Sequence, residues 1–456
     1  MYAGYALTSI TAYNLLVYST VSHDESFSPA ISVVGSTGSA EGERRLRILN
    51  ISAQKPDGTG SGTFLAQTVA AQIAAGHLTA VVCGIDDGDA TDALPAQALV
   101  FPVRFNTSEL PFHVCGMSDE MPYAATRYRD LTPQMVGQFE SAFATRLDRA
   151  LAEFDPDVII CHHLYLLASI VREHVSDVPV AAVCHATDLR QMAMHGLERD
   201  RIVAAIRRMS ALFCLHHAQA AEVVRVYGAD PALVHVTGTG YNAHVFNRDG
   251  DAVRRRAGQL CFVGKVSFKK GAESLLAALD LIQPGDLSAA GLGQSGLELV
   301  LIGGHDPAAE DYAHIAAKAE ACRWPVRMAG RVPTEELVRT YRQSDLFVLP
   351  SFYEGLPLVG IEALACGAKV LMTALPGVPD GMDSLLPGNP MAWVEPPAIL
   401  AVDTPDPQAL PAFERRLADG ILACLVAPRS AFDVTHASWE MVVSRMLDVL
   451  GEGRGR

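Results

Sequence analysis

The chain has 456 residues, enough for two domains that each bury a sizeable core. With 36 Lys and Arg against 51 Asp and Glu, the formal net charge is -15, so the long-range field repels polyanions and argues against nucleic acid as a partner. The nine Cys form no C-x-x-C pair and several stand in apolar runs, the pattern of free thiols in a reducing cytosol. No run reaches the roughly 18 apolar residues of a membrane helix, and the start lacks the basic residues of a secretory signal, which predicts a cytoplasmic protein and leaves peripheral membrane contact open.

Residues 1–44 mix Ser, Thr, Gly and isolated hydrophobics without a sustained period, and read as an N-terminal extension open to disorder. From residue 45, short apolar runs alternate with amphipathic stretches. Strands are expected at 46–51, 79–83, 157–161, 179–184, 211–215 and 233–236, and helices at 63–75, 132–153, 164–175, 199–209 and 218–227. Residues 241–258 break the pattern with Asn, Asp, Gly and Arg254-Arg255-Arg256, closing a first domain of 45–250. A second, 257–427, has expected strands at 260–263, 297–302, 326–329, 346–349 and 368–372, and helices near 270–281, 307–321, 334–343 and 358–366. The Gly- and Ser-rich stretch 284–296 reads as a surface loop, and 374–411 as Pro-rich and irregular. A last helix, 431–449, follows the second domain's final strand and is free to pack back on the first. The alternation specifies an α/β protein, each domain a parallel sheet wrapped by helices.

The most informative stretch is 346–367, LFVLPSFYEGLPLVGIEALACG: a buried strand, a Pro-Ser turn, an acidic loop and a helix closed by Cys366-Gly367. A strand end opening into a helix N-terminus presents unpaired N–H groups and the positive end of the dipole, here at Leu358 and Val359, which suits a phosphate. Glu354, beside Gly355 and Leu356 in the loop, and Glu362, inside the helix, suit vicinal hydroxyls of a sugar and a ribose, because each carboxylate oxygen accepts from one hydroxyl. This segment resembles the E-x7-E signature of retaining glycosyltransferases with the GT-B fold, family 4-like. The resemblance implies two facing Rossmann-like domains, the N-terminal one for acceptor and the C-terminal one for a nucleotide-sugar donor.

The same domain opens with Phe262-Val263-Gly264-Lys265 at a strand end and Lys269-Lys270-Gly271 before a helix. The resemblance places the donor diphosphate between Lys265 and Lys270. Lys265 stands where Arg is usual, which keeps the charge but gives up the bidentate fork. Gly330-Arg331-Val332 matches the position whose backbone holds the base, so Gly264, Arg331 and Val332 join the donor contacts.

In the first domain, the loop Pro56-Asp57-Gly58-Thr59-Gly60-Ser61-Gly62-Thr63 lets backbone approach an anion at a helix start, and resembles the family's glycine loop, with Gly60, Ser61 and Gly62 reaching toward the donor phosphate. Read alone it also suits a dinucleotide fold with Asp86 or Asp87 on the ribose, although Thr63 replaces the third Gly of G-x-G-x-x-G. Cys184-His185-Ala186-Thr187-Asp188-Leu189-Arg190 resembles the family's H-G-T-D-L segment with Ala186 in place of Gly. His185 is then expected to contact the transferred sugar, with Asp188 and Arg190 as acceptor-side or other site residues. His162-His163 and His216-His217, adjacent in sequence and so expected to point apart, read as structural or substrate-lining rather than metal ligands. Asp87-Gly88-Asp89 reads as a turn.

The resemblance implies glycosyl transfer from a nucleoside-diphosphate sugar to a hydroxyl of a small molecule, glycan or lipid-linked acceptor, with retention, no metal and no cofactor. Lysines do the work a cation would do. The competing readings are a nucleotide-sugar epimerase or hydrolase on the same fold, a nicotinamide-dependent dehydrogenase, and a non-catalytic nucleotide-sugar sensor.

Overall fold

The strand Arg47–Ser52 (β1) is buried on both faces, with Leu49 and Ile51 on one and Ile48 beside a hydrogen-bonded Asn50 on the other, the condition under which a parallel sheet is stable. The computed structural model describes residues 45–118, 121–249, 253–289, 296–304, 310–401 and 404–452. The extension expected over 1–44 lies outside them. β1 pairs in parallel with Leu78–Asp86 (β2) on one side, and β2 with Leu99–Phe105 (β3). The two-residue strands Cys115–Gly116 (β4) and Thr126–Arg127 (β5) pair only with each other. On its other side β1 pairs with Val158–His162 (β6), followed by Val180–Val183 (β7), Ala211–Cys214 (β8) and Val234–Val236 (β9). The order β3-β2-β1-β6-β7-β8-β9 reverses direction between β1 and β6 and leaves a crevice at their C-terminal ends.

Alternate residues of these strands enter cores on the two faces of the sheet, with Val81, Cys83 and Ile85 of β2 in a smaller cluster under Leu65 and Val69. Ile48, Ile160, Val183 and Phe213 pack under Phe64 of the helix Gly60–Ala74 and under Trp439, Val442, Met446 and Leu450 of the helix Trp439–Glu452. Leu49, Ile51, Ile159 and Leu212 pack under Phe139, Phe143 and Leu147 of Pro133–Phe154. The C-terminal helix is also tied by backbone: Tyr241 N–H donates to Ala437 O at 2.9 Å and Trp439 N–H to Tyr241 O at 3.2 Å. Arg445 donates from Nε and Nη2 to Thr237 O at 3.1 and 2.8 Å.

A second sheet is built around Gln259–Val263 (β10), which pairs in parallel with Glu298–Ile302 (β11) and Leu346–Leu349 (β13). Val326–Gly330 (β12) lies outside β11, and Lys369–Thr373 (β14) and Ala392–Val394 (β15) lie outside β13, giving β12-β11-β10-β13-β14-β15. Its reversal falls between β10 and β13. Ile399–Ala401 (β16) and Thr404–Pro405 (β17) form a separate antiparallel pair. The chain divides into two compact units, one of residues 45–243, 380–387 and 434–452 and one of residues 244–379 and 388–433.

Several elements differ from expectation for identifiable reasons. β3 was not expected because Pro102 interrupts its run, and the sheet tolerates it because β3 is an edge strand. The Pro-rich 374–411 is not irregular throughout: it holds the helix Val378–Leu385 and strands β15, β16 and β17. Pro411 opens the unexpected helix Leu410–Val426 in its first turn, where a missing N–H costs nothing. The stretch read as a loop from 284 begins as the helix Pro284–Ala289. Trp439 is 4% exposed, and Trp439→Ala is expected to lower unfolding stability by about 3 kcal/mol, seen as a fall in the urea midpoint.

Candidate active site

Because β10 and β13 are neighbours running the same way, the loops that leave them emerge side by side. Phe352 N–H donates to Lys269 O at 2.9 Å, joining the two loops. Gly271, at φ +71°, brings its backbone so close that a Cβ would stand 2.0 Å from Pro350 O, so the Lys-Lys-Gly turn requires glycine. The result is a direct ion pair: Lys270 Nζ lies 2.7 Å from Glu354 Oε1, which also accepts from Ser351 Oγ at 2.7 Å. The Glu354 side chain is 13% exposed and that of Lys270 31%. Lys265 is exposed at the turn after β10. Gly264 N–H donates to Ile302 O at 3.0 Å and Gly303 N–H to Gly330 O at 2.8 Å, so the ends of β10, β11 and β12 are stitched together. Arg331 follows β12 and lies against Gly304, where a Cβ would meet its Nε at 2.6 Å; Val332 is half-buried beside it.

Gly355 is exposed and Leu356 half-buried where the chain turns into the helix Leu358–Ala365. The Leu358 and Val359 amides, in the first turn, have no intrahelical acceptor and Pro357 provides no side-chain cap, an arrangement that suits an anion at the positive end of the dipole. Glu362 is half-buried, and burial pushes its carboxyl up to about 7. The buried Tyr341 hydroxyl, directed at the carboxyl, offsets part of that rise as a hydrogen-bond donor to its charged form.

In the other unit, Thr59 Oγ1 caps the helix Gly60–Ala74 by accepting from Gly62 N–H at 3.0 Å, and Ser61 Oγ donates to Gln54 Oε1 at 2.9 Å. The helix thus starts one turn earlier than expected and takes in Gly60, Ser61 and Gly62. At Gly62 a Cβ would stand 2.8 Å from Lys55 O, which excludes any side chain. Asp86 is not presented to a ribose. Its carboxylate accepts from Val114 N–H at 3.1 Å, meets Lys55 Nζ at 3.1 Å and lies 3.2 Å from His113 Nδ1. Asp89 N–H donates to Asp86 O at 3.1 Å, closing the turn around Asp87-Gly88.

His185 sits at the end of β7 among other imidazoles. Its Nε2 is 3.3 Å from His162 Nδ1, its ring stacks on His162 with 5.5 Å between centroids, and His163 lies 4.6 Å away. The expectation that His162 and His163 point apart fails because His163 takes φ +75° directly after β6, turning its ring back toward its neighbour's side. Burial lowers the pKa of all three, His162 to about 3 and His185 well below its ordinary value with both neighbours adding to the effect. The folded state therefore holds neutral imidazoles, and stability falls as pH drops below about 6.5, where only the unfolded chain takes up protons.

Asp188, expected as an acceptor-side or other site residue, has its carboxylate turned to backbone. It is fully buried and accepts from Leu164 N–H at 2.9 Å, His185 N–H at 3.3 Å and Leu189 N–H at 3.2 Å, so it fixes the ends of β6 and β7. Arg190 is exposed on the same short helix, Thr187–Met194. The sequence reading missed Ser351, Tyr341 and Phe64, which contact the expected site residues. Only Ser351, three positions before Glu354, carried a local signal.

Two outcomes follow from this geometry. Ala186 holds φ +69° where the resembled segment has Gly, so Ala186→Gly should gain about 0.5–1 kcal/mol of stability in urea unfolding. The folded Glu362 carboxyl titrates above its unfolded value of 4.5, so wild type should lose stability relative to Glu362→Gln as pH rises from about 5 to about 8, by no more than about 3 kcal/mol. Melting temperatures across that range read the difference.

The family model for glycosyl transferases group 1 matches residues 257–400, and that for Glycosyltransferase Family 4 matches residues 58–245. A D-inositol 3-phosphate glycosyltransferase of Streptosporangium roseum is 31% identical over 251 residues, 51% of this chain and 52% of that protein. The chain thus spans little more than half the length of that relative. Among solved structures, the alpha,alpha-trehalose-phosphate synthase (UDP-forming) of Burkholderia vietnamiensis superposes with a TM-score of 0.57 at 13% identity, over 90% of this chain and 100% of that one. The Anabaena protein HepE in complex with UDP and glucose gives 0.53 at 12%, over 89% and 100%. With two parallel sheets of reversing order, and with family matches on both of them, the chain belongs to the family 4-type glycosyltransferases of the GT-B fold.

Proposed function

We propose that the protein transfers a glycosyl group from a nucleoside-diphosphate sugar to a hydroxyl acceptor, with retention of configuration and without a metal. The observation that carries this reading is the convergence of Lys270, Glu354 and the uncapped amides of Leu358 and Val359 on one edge of the second sheet. Those amides, with Lys265 and Lys270, meet negative charge as it grows on the leaving phosphate, a contribution that rises between ground and transition state. Glu354 Oε1 is taken by Lys270 and Ser351, which leaves Oε2 for a sugar hydroxyl and holds the lysine in place. Glu362 accepts from the ribose diol. The bond from the anomeric carbon to the phosphate oxygen breaks, the acceptor oxygen bonds to the same face of that carbon, and the departing phosphate takes the acceptor's proton. His185, neutral and packed between imidazoles, positions the sugar and does not act as a base.

The dehydrogenase reading is left with Asp87 alone as its ribose acid, since Asp86 is bound within the protein. An epimerase or hydrolase would use the same donor edge, and differs in needing no hydroxyl acceptor.

A turnover screen with UDP-, GDP- and ADP-sugars, with and without inositol phosphates as acceptors, tests the proposal. One donor should be consumed in an acceptor-dependent way, with an α-linked donor giving an α-linked product and no loss of rate in EDTA. Lys270→Ala is expected to lower kcat/KM by about 100-fold, the scale for removing one donor to a developing anion, and Glu354→Gln, which releases that lysine and weakens the acceptor for the sugar hydroxyl, should lower it as well. Donor affinity should strengthen as pH rises through about 7, where Glu362 ionises, and this dependence should vanish in Glu362→Gln. Consumption without acceptor, or an inverted product, defeats the reading.

A further inference from the structure

At the opposite, N-terminal edge of the second sheet the charge pattern changes sign. Arg254, Arg255, Arg256, Arg339 and Gln343 line a concavity of about 630 Å³ in a chain whose net charge is -15. Backbone bonds fix its floor: Arg256 N–H donates to Gln343 O at 2.9 Å, Gln259 N–H to Arg256 O at 3.1 Å and Asp345 N–H to Gln259 O at 2.7 Å. The length of β10, about 16 Å for five residues, separates this edge from the one bearing Lys265 and Lys270.

Among the described residues, the acids near the concavity are few: Glu335 and Glu336 stand one turn before Arg339 on the same helix, and Glu336 is paired with Arg327 at 3.3 Å. Glu298 Oε2 comes no closer than 4.0 Å to Arg256 Nη1, and Asp345 is engaged by Arg429. Arg255 donates to Ser344 O, and its guanidinium pKa is pushed down by burial and by Arg429 and Arg248. Arg254 and Arg339 are exposed. The C-terminus of the helix Thr334–Gln343 brings about half a negative charge to the site, small against four guanidinium groups.

We propose that this concavity is a second anion site, separate from the donor edge, for a ligand bearing phosphate groups. Arg254, Arg256 and Arg339 would hold its oxygens by paired N–H bonds, the geometry in which Arg exceeds Lys, and the Gln343 amide would donate a further bond.

Calorimetric titration with inorganic pyrophosphate at low ionic strength tests this on the full chain. Two binding events are expected in wild type. Arg254→Gln/Arg339→Gln should weaken one by at least 10-fold and leave the other, while Lys265→Ala/Lys270→Ala should do the reverse. Arg254→Lys/Arg339→Lys, which keeps charge but not the fork, should fall between. If the lysine pair changes nothing while the arginine pair removes binding, the donor assignment fails and this site stands. An unaltered isotherm in Arg254→Gln/Arg339→Gln overturns the site. Sedimentation with phosphatidylglycerol against phosphatidylcholine vesicles separates the sources: arginine-dependent sedimentation on the anionic vesicles alone assigns a lipid headgroup, and pyrophosphate binding without sedimentation assigns a free phosphate compound.

Discussion

The parallel pairing of β10 with β13 is the constraint on which the candidate site depends. These strands are far apart in sequence and adjacent in the sheet. Since both run the same way, the loops after them share one edge, and side chains that no local rule would bring together meet there. Had the pairing been antiparallel, Lys270 and Glu354 would lie at opposite ends of a strand. The close approach of Gly271 to Pro350 and the bond from Phe352 to Lys269 then fix the separation of the two loops.

The Lys270–Glu354 pair is better understood as preorganisation than as a source of stability. Ion pairs with this degree of exposure contribute about 0–1 kcal/mol, because desolvation and side-chain ordering offset most of the attraction. In the proposed reaction, the pair would supply a lysine already oriented where negative charge grows, so little reorganisation would remain for the chemical step. Ser351 serves the same end by fixing the shared oxygen.

The other unit stores strain and desolvation around His185. Positive φ at His163 and Ala186 and three buried neutral imidazoles each oppose stability, and the extensive cores above and below the sheet sustain them. Asp188 is the organising group, since one buried carboxylate receives amides from the loops after β6 and β7. A segment read as ligand-facing is here partly scaffold.

The sequence by itself determined the α/β alternation, the central strands of both sheets and the donor-edge motif, because each rests on local features: apolar runs of strand length, a strand opening into a helix, a glycine after two lysines. Less legible were β3 and the helix Leu410–Val426, where Pro102 and Pro411 signal irregularity unless one knows that the strand is an edge and the proline a first-turn residue. Only the tertiary structure decided that Glu354 faces Lys270, that Asp86 and Asp188 are spent on backbone amides, and that His162 and His163 both turn to His185. The reason is common to all of these. A side chain's residue type limits what it can bind, but which partner it meets is set by strand order and by one or two backbone torsions, and neither leaves a period in the sequence.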